Sequence, residues 1–425
     1  MLLIVKRIAF FVDRHLNKLL VFVCVACVIT GLSTAVFYRH DKHIDVNVSD
    51  EILAIADLPG DFSLYAEYFK KLSEDKGALF AFEVLGKAYL TPGTDLHVLA
   101  HVVGDELYKQ YGIQGIKYCT KSFGSACSHS IVGGALFEHG PSSLSEIAKG
   151  CKEVSGGLEA YGMCYHGVGH GVLAYVEYDL PKAVALCGRV GMGTTEQYGQ
   201  EGVECVGGVI MELISGGGHD KKTWARVSPQ YLKDDDPLYP CDSPIIPEES
   251  KGMCYMYLTP HLFKATGGDA KSPTPAVFKT AFQYCAKIPI AETKKRMACY
   301  GGFGKEFPAI RADHDLRVVA EMSDAKLKEI FSWCALSQDA SGTQSCSDTV
   351  LSALYWGGEN VVTAPVRYCS LVADKGMQSH CFETLEGMVF PHMQDAVAQR
   401  SFCATLGTQF TEGCVSRIPK DVTAR

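Results

Sequence analysis

Residues 118–137 read YCTKSFGSACSHSIVGGALF, and the two cysteines in them set the pattern for most of the chain. Cys119 follows an aromatic residue at the end of a helical pattern. A polar, Gly-containing loop comes next, and Cys127 then opens an apolar run of helical character. The arrangement returns as Cys151/Cys164, Cys187/Cys205, Cys241/Cys254, Cys285/Cys299, Cys334/Cys346, Cys369/Cys381 and Cys403/Cys414, with partners 8 to 18 positions apart. Self-similarity of this kind marks a repeat architecture. Helix, loop and helix with a cysteine at each loop edge describes an αα-hairpin stapled across its connection, and tandem hairpins bury their faces against one another. The expected fold is all-α: disulfide-stapled αα-hairpin repeats over residues 116–415, solenoid-like or a curled helical array.

These couples use sixteen of the 18 cysteines. Shifting the pairing by one, so that Cys164 joins Cys187, leaves Cys119 and Cys414 without partners. Spacing alone does not fix the connectivity. Thiolate metal clusters are the other use of many cysteines, but they favour short CxxC spacings, and none occurs after residue 27. Disulfides require an oxidising compartment. In layout the chain resembles the disulfide-stapled, Sel1-like helical repeat proteins. The resemblance implies architecture alone, because the Sel1-type signature is not recognisable in these repeats.

The N-terminus asks for the same compartment. Leu19–Tyr38 reads LLVFVCVACVITGLSTAVFY, twenty residues without a charge. At about 1.5 Å per residue this crosses the roughly 30 Å hydrocarbon core. Lys6, Arg7, Arg14 and Lys18 precede it, whereas Arg39 and Lys42 beyond it are diluted by Asp41 and Asp45. The positive-inside bias then places residues 1–18 in the cytoplasm and the bulk outside, in the periplasm or another extracytoplasmic oxidising space. A cleaved signal peptide is the alternative, with Ser33-Thr34-Ala35 as a small-residue cleavage site. Cys24 and Cys27 sit inside the span as small apolar filler. Residues 39–60 read as a polar stalk. Residues 61–115 form an N-terminal helical segment in which Leu64, Tyr65, Tyr68, Phe69 and Leu72 share one face, and residues 416–425 form a polar tail.

Apolar residues make up 47% of the chain, enough for a large core. The net charge of −8, with no basic block beyond the first twenty residues, argues against a nucleic-acid partner. The chemistry is carried by histidines. Two positions beyond the second cysteine, the first two repeats have His129 and His166, where later repeats have Gly207, Met256, Gly301, Asp348 and Glu383. His170 lies four beyond His166, and His97-Val-Leu-Ala-His101 stands just upstream of the repeats. Residues four apart share a helix face, so each HxxxH pair can point at one ion. Asp105 extends the first face by one turn, and Glu177, eleven beyond His166, returns to the second face at about 100° per residue.

The other positions on these helices are largely apolar, so the polar stripe is expected to be buried and in need of partners. A divalent transition metal (Zn, Fe or Cu) meets that need with neutral imidazoles as ligands. The glycines along the stripe allow close helix approach or leave room for a substrate. The expected function is a membrane-anchored, extracytoplasmic metalloprotein: a metal-dependent hydrolase or oxidase with Asp105 or Glu177 as general base. Two alternatives accompany it. One is a non-enzymatic repeat scaffold that binds a protein or envelope component on its surface; the other is a metal delivery or sensing protein. HExxH, CxxCH and GxSxG are all absent.

Overall fold

The computed structural model describes residues 48–418, apart from 92–93, 121, 155–156, 191–199, 216–219, 270–271, 359 and 394. The chain divides after Glu51, and the architecture below belongs to the unit that begins at Ile52. The span expected at Leu19–Tyr38, with Cys24 and Cys27, lies outside the described residues. Among the described residues no helix is long and apolar enough to cross a membrane. Within the stretch read as a stalk, Ser49–Ala56 is helical.

The described chain is all-helical. Helix α1 (Phe62–Lys76) is opened by Asp61, whose carboxylate accepts from the Ser63 and Leu64 amides, and is stopped by Gly77 at φ 95°. It buries Tyr65, Phe69 and Leu72, whereas Leu64 from the expected face is exposed. Then come α2 (Ala78–Lys87), α3 (Leu96–Tyr111), a 3-10 segment (Gly112–Tyr118), α4 (Ala126–His139), α5 (Leu144–Cys151), α6 (Gly157–Tyr175), α7 (Leu180–Val190), α8 (Glu201–Ser215) and α9 (Lys221–Val227). The rest are α10 (Lys251–Tyr257), α11 (Thr259–Ala265), α12 (Pro275–Lys287), α13 (Thr293–Arg311), α14 (Asp324–Ala335), α15 (Ala340–Gly357), α16 (Thr363–Ser370), α17 (Lys375–Val389), α18 (Ala396–Cys403) and α19 (Thr408–Ser416).

One row of helices organises the fold. Helices α3, α4, α6, α8, α10, α13, α15, α17 and α19 pack each against the next in chain order, and from α4 onward each carries the second cysteine of a couple. Flanking helices α5, α7, α12, α14, α16 and α18 carry the first cysteine. All eight disulfides join neighbours in sequence, Cys119–Cys127 through Cys403–Cys414, with Cα–Cα distances of 5.5–5.6 Å. Those spacings suit an unstrained bridge. In the chain-entropy model such short loops contribute about 2.5–3 kcal/mol each. The fourth couple departs from the helical pattern: Cys241 lies in the irregular, Pro-rich stretch after α9.

Cys127 opens α4 as the apolar run suggests, but in the later repeats the second cysteine lies one to two turns inside its helix. The N-cap residues Glu292, Asp339, Asp374 and Gly407 each precede the second cysteine by seven positions. Asp339 and Asp374 accept the Gly342 and Met377 amides at 2.9 and 2.8 Å, so these helices start at a side-chain cap in the connecting loop.

Backbone contact between neighbours in the row is made possible by glycine. A Cβ on Gly169 (α6) would lie 1.9 Å from the Cys205 carbonyl oxygen (α8), and one on Gly208 would lie 1.9 Å from the His166 carbonyl oxygen. The arrangement recurs between α13 and α15, where Gly304 faces the Cys346 carbonyl at 2.0 Å. The array also curls. Arg317, after α13, donates to the carbonyls of Leu90 and Thr91 at 2.9 and 3.1 Å while paired with Asp315. This ties the fifth repeat to the lead-in of α3.

Candidate metal centre

The five histidines lie on three consecutive helices of the row, with α4 in the middle. Ring centroids are 4.7 Å apart for His97 and His101, 5.8 and 5.9 Å from these to His129, 5.2 Å from His129 to His170, and 5.1 Å from His170 to His166. His129, His166 and His170 are buried, whereas His97 and His101 are half-buried and face the open end of the cluster. One ring nitrogen from each of His97, His101 and His129 falls within 4.8 Å of the other two, a grouping that can hold a metal ion.

The hydrogen bonds fix two tautomers. His97 Nδ1 is 2.6 Å from the Phe123 carbonyl oxygen, which can only accept, so the proton is on Nδ1. His101 Nδ1 is 2.9 Å from Ser130 Oγ, and that hydroxyl donates to the His101 carbonyl at 3.0 Å. With its own proton used, Ser130 must accept from His101 Nδ1–H. Both Nε2 atoms therefore carry lone pairs, and they stand 3.1 Å apart. Two imidazole lone pairs aimed at each other repel; a cation between them turns the repulsion into coordination. Carbonyl and hydroxyl partners on the far nitrogen are what orient histidine ligands in metal sites.

The backbone is bent to make the first of those bonds. Phe123, Gly124 and Ser125 have φ of 57°, 60° and 62° immediately before α4. For Phe and Ser this left-handed conformation costs about 1 kcal/mol or more each, and such strain concentrates at functional sites. Gly124 is needed twice over, since a Cβ there would lie 3.2 Å from His97 Nδ1. Gly167 makes room for His129, whose Cδ2 would be 2.5 Å from an added Cβ.

Burial holds His97, His129 and His166 neutral, the form that ligates. Burial first, then the neighbouring His170, pushes His129 and His166 well below the ordinary histidine value, and burial also lowers His97. Both ring nitrogens of His129, with His166 Nδ1 and His170 Nε2, are buried without hydrogen-bond partners. His170 Nδ1 is held at 3.0 Å by Glu212 Oε2 on α8, and the Tyr178 hydroxyl donates to Glu212 Oε1 at 2.9 Å.

Of the two expected acids, only Asp105 stays on a histidine-bearing helix. Asp105 is exposed on α3, one turn beyond His101. Glu177 is not on the histidine face at all, which corrects the helical extrapolation. Helix α6 stops at Tyr175, and Glu177 and Tyr178 turn left-handed at φ 54° and 64°. The same turn buries Tyr178 against Glu212 and leaves Glu177 exposed. Glu212 is the acid that sequence reasoning missed. Its signal was present as the lone charge of the apolar run 205–213, CVGGVIMEL. The Phe123 carbonyl and Ser130 left no comparable trace. No protein-family model, curated protein or solved structure matches the chain, so the chemistry of the site rests on its own residues.

Proposed function

We propose that this chain is a membrane-anchored, extracytoplasmic metalloprotein that holds one divalent transition ion, Zn, Fe or Cu, on His97, His101 and His129. The observation that carries the reading is the 3.1 Å approach of two Nε2 lone pairs whose Nδ1 protons are committed to Phe123 and Ser130. Three imidazoles leave a fourth position of a tetrahedron for water, substrate or an outgoing ligand. His97 and His101, being half-buried, form the approach to that position. In a hydrolytic version Asp105, on the solvent side of α3, is the base that remains, and Glu177 is withdrawn from that role. The eight disulfides support the oxidising compartment, and the uncharged stretch Leu19–Tyr38 supports the anchor. The repeats beyond α10, which keep the staples and lack the histidines, supply the surface for a protein or envelope partner.

The test is Zn(II) loading of the full-length chain, expressed in an oxidising compartment and solubilised in detergent. Elemental analysis should return close to one Zn per chain, and His97→Ala or His129→Ala should abolish it without changing the helical circular dichroism. Protein that stays metal-free after exposure to Zn(II), Co(II) and Cu(II) sinks the proposal.

A further inference from the structure

A second convergence of donors lies further along the row, between α15 and α17. His380 Nε2 stands 2.9 and 3.0 Å from the two carboxylate oxygens of Asp348, 3.0 Å from the Gln344 side-chain amide and 3.3 Å from Thr384 Oγ1. Gln344 and Asp348 are four apart on α15, and His380 and Thr384 are four apart on α17, so each helix presents one pair on a shared face. Asp348 follows Cys346 by two positions, the register that places His129 after Cys127 and His166 after Cys164. The register that carries histidines in the first repeats thus carries a carboxylate here. The His380 side chain is 39% exposed and that of Asp348 31%, so ions in solution can reach the group.

An ordinary ion pair does not account for all four contacts. Nε2 has one in-plane direction, which holds either a proton or a lone pair. If it holds the proton, the two Asp348 oxygens share it, and Gln344 and Thr384 stand against a nitrogen with nothing further to give. If it holds the lone pair, the Asp348 oxygens face it with no proton between. Thr384 shows that the crowding is not the default for its residue type. Thr280, Thr349 and Ser370 each donate to the carbonyl four residues back, at 3.0, 3.0 and 2.8 Å, whereas the Thr384 hydroxyl turns to the His380 ring. Burial pushes the Asp348 carboxyl up, against the pull of the His380 imidazole, so the imidazole alone under-compensates that carboxylate. A cation among the four groups takes a lone pair from each, with the Gln344 amide presenting its oxygen. The spacings fit, because adjacent donors of an octahedron with bonds of about 2.1 Å lie about 3.0 Å apart.

One imidazole with carboxylate, amide and hydroxyl oxygens is a harder donor set than three imidazoles, and oxygen donors suit Mn(II) where imidazole groups suit Zn, Fe and Cu. We infer that Gln344, Asp348, His380 and Thr384 form a second metal position, for an oxygen-preferring divalent cation of the Mn(II) class, with water completing the shell. It shares no residue with the three-histidine position and stands on its own geometry. The later repeats then carry a site of their own as well as the staples.

The test is Mn(II) titration of the full-length chain in detergent, after one equivalent of Zn(II) has been supplied to fill the three-histidine position. Binding removes the sharp electron paramagnetic resonance spectrum of aqueous Mn(II), and the expected result is uptake of one Mn(II) per chain. Asp348→Asn and His380→Ala should each weaken that uptake at least about tenfold while the Zn content stays unchanged. Electron spin-echo modulation of the Mn-loaded parent needs no variant, and it should show coupling to an imidazole nitrogen. Absence of Mn(II) uptake overturns the inference and leaves Asp348 and His380 as an ion pair. Uptake undiminished in both variants, or bound Mn(II) without nitrogen coupling, overturns it as well. Asp348-dependent Mn(II) uptake by a chain that fails to bind Zn(II) refutes the three-histidine reading and leaves this one standing.

Discussion

Replacing Gly169 by alanine tests the claim that the row of helices is held at backbone contact. The added Cβ would sit 1.9 Å from the Cys205 carbonyl oxygen and 2.6 Å from the Val209 amide nitrogen. Reaching even a tight contact of about 3.0 Å requires α6 and α8 to separate by about 1.1 Å, and neither obstacle is a side chain that can rotate away. Overpacking of this kind costs about 1–3 kcal/mol, and two rigid backbones place it near the upper end. Against that, alanine in a helix interior is favoured over glycine by about 1 kcal/mol. The net expectation is a loss of about 2 kcal/mol. Separation by 1.1 Å also takes the 3.0 Å bond from His170 Nδ1 to Glu212 Oε2 past bonding distance. Gly188→Ala on α7 is the internal control, because an added Cβ there meets nothing within 4 Å, and it should stabilise by up to about 1 kcal/mol through propensity alone. The assay is urea denaturation with disulfides intact, followed by circular dichroism. If Gly169→Ala is as stable as Gly188→Ala, the two helices are not in backbone contact and the reasoning fails.

Alkylation under denaturing, non-reducing conditions should label Cys24 and Cys27 alone; labelling of any repeat cysteine contradicts the eight bridges. Asp339, capping α15 and bonded to Arg296 at 2.8 Å, is held below the ordinary carboxylate range chiefly by that arginine. Its contribution is therefore present above the unfolded value of about 3.9 and disappears as pH falls through the folded one. Asp339→Asn should be less stable than the parent at pH 6 and approach it as the pH falls through the lowered folded-state value, and a difference that does not shrink in acid would contradict the assignment. Arg317→Ala removes two hydrogen bonds from a charged donor to Leu90 and Thr91. It should speed amide hydrogen exchange in α3 while leaving α15 to α19 unchanged, and uniform protection across the chain would show that the array does not depend on this tie.

How far the site was legible depends on which geometry each residue needed. The HxxxH pairs require one helix face and nothing else, so His97 with His101, and His166 with His170, were readable from spacing. His129 needed only the repeat register, which the cysteines supply. Glu177 failed because helical extrapolation carries no information about where a helix stops, and two left-handed residues turn the chain at Tyr175. Glu212 was visible as an anomaly in an apolar run, but its partner is 42 positions away in sequence.

Sequence by itself determined the all-α class, the recurrence of the cysteines in couples and the placing of five helix-face histidines on three consecutive segments. These follow from periodicity and chain proximity, since a cysteine 8 to 18 residues from its partner has little distance to travel. Only the tertiary structure decided which lone pairs meet. The Phe123 carbonyl and Ser130 hydroxyl fix the protons of His97 and His101 from another helix and its lead-in. Gly169 and Gly208 set the separation that lets His170 reach Glu212. Proton placement is set by partners distant in sequence, and no pattern along one chain records the distance between two neighbouring backbones.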